Sequence, residues 1–112
     1  MGPADLIEQE LAAAEAAWKI GNEGKARVCA RRAVALATEA WLARRSVEPW
    51  RGDAMAHLRR IQQDVSLPLP VREAAERLTT TVTRRDSAPF ATDPIGDART
   101  IIAYFTANSN EN

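Results

Sequence analysis

Apolar residues recur along this chain at intervals of three and four positions, the spacing of one face of an α-helix. Five stretches follow this pattern, so we predict an all-α protein of about five helices without a β-sheet. Capping residues, glycines and prolines mark where each helix starts or stops. The predicted helices run about from Asp5 to Ile20, Gly24 to Arg45, Asp53 to Val65, Pro70 to Val82 and Asp93 to Phe105.

The second predicted helix is apolar around most of its circumference. Between Ala33 and Ala43 its only polar residues are Thr38 and Glu39. A helix of this kind is surrounded by other elements, and alanines let neighbouring helices approach closely. We therefore predict an antiparallel up-and-down bundle built around an alanine-rich second helix.

Aromatic residues divide between the predicted core and a connector. Trp18 falls on the same face of the first helix as the apolar residues Ile7, Leu11 and Ala14, and Asp5 is the expected N-cap. Trp50 lies in a Pro-Trp-Arg connector, so it is the tryptophan that we expect to be most exposed. An exposed aromatic residue beside Arg51 suits a partner interface. The simpler interpretation is that all three tryptophans fill the core.

The length of 112 residues allows one domain and one core. We assign residues 1–106 to this domain and residues 107–112 to a disordered polar tail. The β-branched run from Thr79 to Thr83 predicts a frayed helix end, and a loop is expected from Arg84 to Thr92, with Pro89 and Phe90 positioned to pack on the core.

Composition narrows the possible partners. Lysine plus arginine and aspartate plus glutamate both total 15, so the formal net charge is zero, which does not favour nucleic acid or a membrane surface. One cysteine and one histidine exclude a cysteine- or histidine-rich metal site, and no residue pattern implies a cofactor. Cys29 is expected in the core. With no apolar stretch long enough to span a membrane and no signal peptide, we predict a cytoplasmic location.

One pair of residues has catalytic associations. Arg51 and His57 could stabilise a phosphate charge and transfer a proton, as a metal-independent ribonuclease requires. Gly52 interrupts their spacing, so we expect Arg51 in the connector and a partly buried His57 on the third helix. A solvated arginine and a structural histidine are the simpler interpretation, and no catalytic residue is assigned.

Basic residues also crowd the first turns of the second helix. Arg27 and Arg31 are one turn apart, and with Arg32 they form a candidate phosphate-binding patch. The alternative is that they pair with acidic residues as ordinary surface charge. Further arginines close the second helix and lie on the third helix and in the following loop, at positions 44–45, 59–60 and 84–85.

Two family resemblances cover these elements. The stretch from Gly21 to Leu36 resembles half of a tetratricopeptide unit, in which a glycine ends the first helix and small residues line the second. The match stops after this single unit. From about residue 5 to residue 106, the order of elements is similar to that of small HEPN domains (higher eukaryotes and prokaryotes nucleotide-binding).

The HEPN resemblance is carried by the small-residue second helix from Val28 to Leu42, by His57-Leu58, by Leu78, and by a last helix with Ala98, Ile101 and Ile102. It implies a dimer that acts as a non-catalytic binding module, often beside a nucleotidyltransferase. HEPN ribonucleases carry an Arg-to-His motif, and here only Arg51 and His57 approximate it.

The predicted binding residues are Arg27, Arg31, Arg32 and Trp50. The alternative is a ribonuclease or a phosphate-binding module that uses Arg51 and His57 or the helix arginines.

Overall fold

All five predicted helices are present in the computed structural model, which describes residues 2–80 and 92–107. No strand is present in these described ranges, which confirms the all-α fold. The helices are α1 (Pro3–Lys19), α2 (Glu23–Arg44), α3 (Ala54–Gln63), α4 (Leu69–Thr79) and α5 (Pro94–Ala107).

The central position of α2 is confirmed. It packs against α1, α3 and α5, while α4 packs against α3 and α5. Ala26, Ala30 and Ala33 of α2 are completely buried. Because these side chains are small, the neighbouring helices can pack close to the α2 backbone. Larger side chains from the other helices fill the core around it, among them Leu11, Leu58, Ile61, Leu78, Ile101 and Phe105.

Polar side chains cap three of the helices, at Asp53 and Asp93 as the sequence indicates and at Asn22 two residues before the predicted start of α2. Asn22 accepts a hydrogen bond from the Lys25 amide at 3.1 Å, and Asp53 accepts one from the Ala56 amide at 3.0 Å. Asp93 accepts one from the Gly96 amide at 3.0 Å. Each cap satisfies an amide that has no partner within the first turn of its helix.

The predicted cap of α1 is wrong, because the helix begins three residues earlier than Asp5 would place it. Gly2 is the N-cap, and Pro3 occupies the first helical position, where its fixed φ and missing N–H are well suited. Asp5 instead lies in the first turn. Its carboxylate accepts a hydrogen bond from the Gly2 amide at 3.3 Å.

The predicted core face of α1 is correct except at its last member. Ile7, Leu11 and Ala14 are buried, but Trp18 is 38% exposed. The buried stripe continues to Ala17, which lies three positions after Ala14 and stays in line with the face that α2 covers. Trp18, one position further, is rotated out of that face towards solvent.

The predicted end of α3 is also wrong. The helix stops at Gln63, and Val65 is 84% exposed instead of completing the apolar face. Asp64 turns the chain, because its carboxylate accepts hydrogen bonds from both the amide and the hydroxyl of Ser66. Leu67 follows this turn and takes the core position that Val65 was expected to fill.

Several expectations fall on residues outside the described ranges. α4 ends at Thr79, and the remaining residues of the predicted frayed end, from 81 to 83, are not described. The same holds for Pro89 and Phe90 and for positions 84–91 of the predicted loop. Of the predicted tail, Ala107 is the last residue of α5, and residues 108–112 lie outside the description.

Side-chain pairs also join helices of the bundle. Arg77 of α4 makes a bidentate contact with Asp97 of α5, with its Nη2 atom 2.8 Å from Oδ1. The hydrogen bond to Asp97 raises the pKa of Arg77 above its usual value. Arg99 of α5 lies 4.0 Å from Glu8 and 3.7 Å from Glu15 of α1. No helix in the described part of the chain is long and apolar enough to cross a membrane.

Candidate functional site

Aromatic rings connect α2, the α2–α3 connector and α5. The Trp41 ring lies 5.0 Å from Phe105 and 6.4 Å from Trp50, and both contacts are edge-on. Trp50 also lies 5.5 Å from the His57 ring. Trp50 is therefore half-buried, not the most exposed tryptophan as the connector sequence predicted. These ring contacts hold it against the core, and Trp18 is the exposed tryptophan instead.

His57 is a core residue, more deeply buried than its sequence position predicted. It is 1% exposed, and its Nδ1 atom lies 2.7 Å from the Oγ1 atom of Thr38. The Thr38 hydroxyl donates to the Ala35 carbonyl at 2.9 Å. The Thr38 hydroxyl and Nδ1 of His57 are thus hydrogen-bonded to each other, with the donor set by the histidine tautomer. His57 thus links α3 to α2.

Arg51 and His57 do not share an accessible site. Arg51 is exposed in the connector and lines two surface depressions, and His57 lines neither. A general base must come within hydrogen-bond reach of the proton that it removes. Buried and engaged with Thr38, His57 does not meet this requirement in the structure.

The connector leaves α2 through a defined turn. The Ser46 amide donates to the Ala43 carbonyl at 3.2 Å and the Val47 amide donates to the Leu42 carbonyl at 3.3 Å, the two hydrogen bonds of a Schellman motif. Ser46 takes the left-handed position of the motif with φ of 57°, where glycine is the usual residue. A Schellman motif commonly places apolar residues at the positions of Leu42 and Val47. Both residues line the surface depression along the connector.

The other end of the connector requires a glycine. Gly52 has φ of 95°, and a Cβ atom at this position would lie 2.6 Å from the Cβ of Ala56. Both the backbone angle and the close approach exclude a side chain. Asp53 follows at once as the N-cap of α3. The Pro-Trp-Arg segment is thus held between two fixed ends, which positions Trp50 and Arg51.

Two arginines stack on the half-buried rings of Trp41 and Trp50. The guanidinium carbon of Arg45 lies 4.7 Å from the centre of the Trp41 ring, and that of Arg60 lies 5.0 Å from the centre of the Trp50 ring. These distances allow cation–π attraction. Both arginines are exposed whereas both rings are half-buried, so the guanidinium groups lie on the solvent side of the rings.

Further arginines gather beside these stacked pairs. Arg51, Arg59 and Arg60 line one open depression on α3, and Arg51 and Arg60 also line the neighbouring depression along the connector. We call Arg45, Arg51, Arg59 and Arg60, together with Trp41 and Trp50, the Arg–Trp surface. Within the described ranges, none of its arginines forms an ion pair.

Two carboxylates border this surface, and one of them, Glu48, lines the depression along the connector. Asp64 lines the α3 depression, and its hydrogen bonds from Ser66 hold its pKa below the usual range. The charges of Arg60 and Arg72 act in the same direction. Asp64 therefore stays ionised at neutral pH and offsets part of the positive charge at one edge of the depression.

The α2 arginines predicted to bind phosphate do not form an open patch. Arg27 is 3% exposed, with its Nη1 atom 3.8 Å from the Glu23 carboxylate. Arg31 is half-buried and donates from Nε to the Leu78 carbonyl at 2.8 Å, and burial, followed by the nearby charge of Arg27, lowers its pKa. Because α2 is packed on several sides, only Arg32 of the three is exposed.

The last candidates for chemistry are a reactive thiol at Cys29 and a metal site, and the described residues support neither. Cys29 is buried, as predicted, and burial, followed by the charge of Glu10, raises the pKa of its thiol. In the described part of the chain, no group of three histidine, cysteine, aspartate or glutamate residues is arranged to hold a metal ion.

Comparison with known proteins adds no relative from which a function could be transferred. No protein-family model, no curated protein and no solved structure matches this chain. A function can therefore be inferred only from the geometry of the Arg–Trp surface.

Proposed function

We propose that this protein is a non-catalytic binding module that takes an anionic partner on the Arg–Trp surface. The observation that carries the proposal is the convergence of Arg51, Arg59 and Arg60 on one open depression, without ion pairs to the described acidic residues. Arginine recognises carboxylates and phosphates with paired, directional hydrogen bonds. Guanidinium groups without an ion pair to the acidic residues of the described ranges can make such bonds to a ligand.

The environment of the titratable residues supports binding rather than catalysis. The ribonuclease hypothesis needs His57 to exchange protons with a substrate beside Arg51. His57 is instead buried and hydrogen-bonded to Thr38, and the depressions beside Arg51 do not reach it. The buried Cys29 has a raised pKa, which lowers the reactivity of its thiol.

Calorimetric titration with inorganic tripolyphosphate, a simple anionic probe, tests this proposal. We expect weak binding at low salt that decreases as salt is added. The double variant Arg51→Ala with Arg59→Ala should bind about tenfold more weakly, from the loss of two exposed charge contacts of up to ~1 kcal/mol each. Circular dichroism should show unchanged helix content, because both side chains are exposed.

Arg32→Ala is the matched control, since it removes one exposed arginine outside the Arg–Trp surface. We expect it to leave the affinity unchanged. If Arg32→Ala weakened binding and the double variant did not, the binding site would lie on the first turns of α2, where the sequence alone placed it. Absence of binding at low salt would contradict the proposal.

The HEPN resemblance adds a homodimer, and a nucleotidyltransferase as partner, to this proposal. A mostly apolar depression between α1 and α2, lined by Pro3, Leu6, Leu36, Glu39 and Ala40, offers a surface that a dimer would cover. Light scattering at high protein concentration should report a dimer, and Leu6→Glu should shift it towards monomer. A monomer at all concentrations would contradict this part. The cytoplasmic location stays a prediction.

A further inference from the structure

We propose that the partner of the Arg–Trp surface is a protein segment in which carboxylate side chains are interspersed with apolar ones. The carboxylates would pair with Arg51, Arg59 and Arg60, and the apolar side chains would occupy the depression along the connector. This inference rests on the proposed function and specifies the class of ligand. Three features of the surface carry it.

The first feature is that two of the arginines are held in place. Arg45 and Arg60 lie over tryptophan rings that are themselves packed edge-on against other aromatic rings. A guanidinium that rests on a ring loses less freedom when it binds than one at the end of a free side chain. Its N–H groups remain available to donate two parallel hydrogen bonds to a planar carboxylate.

The second feature is an apolar component beside the arginines. The connector depression is lined by the apolar residues Leu42, Val47 and Pro49, by Trp50, and by the charged residues Glu48, Arg51 and Arg60. Val47 is 51% exposed, and the hydrogen-bonded turn at Ser46 fixes its position. A protein segment can satisfy both kinds of surface at once, because it can place apolar side chains next to carboxylates.

The third feature weighs against nucleic acid. Single-stranded nucleic acids bind by stacking bases on open aromatic faces. Here the solvent side of Trp41 carries Arg45 and that of Trp50 carries Arg60. The formal net charge of the chain is zero, whereas binding to a phosphate backbone is dominated by the release of counterions from many basic contacts.

Fluorescence anisotropy with three labelled probes tests the inference. The probes are a synthetic peptide that alternates glutamate with leucine, a polyglutamate peptide of the same charge, and a short single-stranded RNA. We expect the glutamate–leucine peptide to bind most tightly. The Arg51→Ala, Arg59→Ala double variant should weaken it about tenfold, the loss expected for two exposed charge contacts.

The apolar component is tested by Val47→Ser. This change should weaken the glutamate–leucine peptide several-fold and leave polyglutamate binding unchanged. Val65→Ser is the matched control, because Val65 is a highly exposed valine that lines neither depression. It should change neither affinity. If Val47→Ser left the affinity of the glutamate–leucine peptide unchanged, or weakened both peptides equally, the apolar contact would be excluded.

The remaining outcomes separate this inference from the proposed function. If the single-stranded RNA bound more tightly than both peptides, with the same dependence on Arg51 and Arg59, the inference would be wrong and the proposed site for an anionic partner would stand. If none of the three probes bound at low salt, both would be overturned.

Discussion

The Nδ1 atom of His57 lies 2.7 Å from the Oγ1 atom of Thr38, in the buried contact between α3 and α2. Both side chains are almost completely buried. Since the only histidine of the chain is used there, the structure gives it a stabilising role. The same contact positions α3, which carries Arg59 and Arg60 of the Arg–Trp surface.

Thr38→Val should destabilise the fold by about 1–3 kcal/mol, because it leaves Nδ1 of His57 buried without a partner. Urea denaturation measures the change. Thr100→Val is the control, since its hydroxyl also donates to a carbonyl of its own helix but lies in an exposed position. Equal effects of both substitutions would show that the His57 contact contributes nothing specific.

Ala33→Leu should destabilise the fold by about 1–3 kcal/mol through overpacking, because Ala33 is completely buried at the centre of α2. Ala40→Leu should cost less, since Ala40 is only half-buried beside the open depression near Leu6. Thermal melts compare the two variants. A loss as large for Ala40→Leu as for Ala33→Leu would contradict the packing described for α2.

Ser46→Gly should stabilise the protein by about 1 kcal/mol, because a non-glycine residue in the left-handed conformation is strained by roughly this amount. Ser46 has φ of 57° at the end of α2. Denaturant midpoints measure the gain, with Ser66→Gly as the control because Ser66 has no positive φ. Destabilisation by Ser46→Gly would mean that the turn at the start of the connector is not formed as described.

The Cys29 thiol should react slowly with alkylating reagents while the protein is folded. Its burial limits access, and its raised pKa keeps the thiol protonated at neutral pH. Because burial favours the neutral thiol in the folded state, stability should fall as pH rises past the pKa of the unfolded thiol. Mass spectrometry should show rapid labelling in urea, and equally rapid labelling without urea would contradict a core position.

The helices and the central role of α2 could be predicted because they depend on local periodicity and capping. Asp53 and Asp93 mark the predicted helix starts through contacts within three residues. The errors fall where a single position decides the outcome. Ala17 rather than Trp18 continues the buried stripe, and the Asp64 turn ends α3 before Val65.

The candidate surface could not be predicted from spacing, because its arginines come from three separate elements. Arg45 follows α2, Arg51 lies in the connector and Arg60 lies on α3. Only the packing of these elements brings them together. The sequence instead favoured the neighbouring arginines of α2, but packing around that helix buries Arg27 and ties Arg31 to a carbonyl. The available signal was the basic residues on either side of the Pro-Trp-Arg connector.

The most direct test of the Arg–Trp surface uses the three tryptophans as internal reporters. Their indole N–H signals can be followed by NMR while the glutamate–leucine peptide is added to the unmodified protein. We predict that the signals of Trp41 and Trp50 shift with a common saturation, and that the signal of Trp18, on the remote end of α1, stays in place. A shift confined to Trp18, or no shift at all, would contradict it.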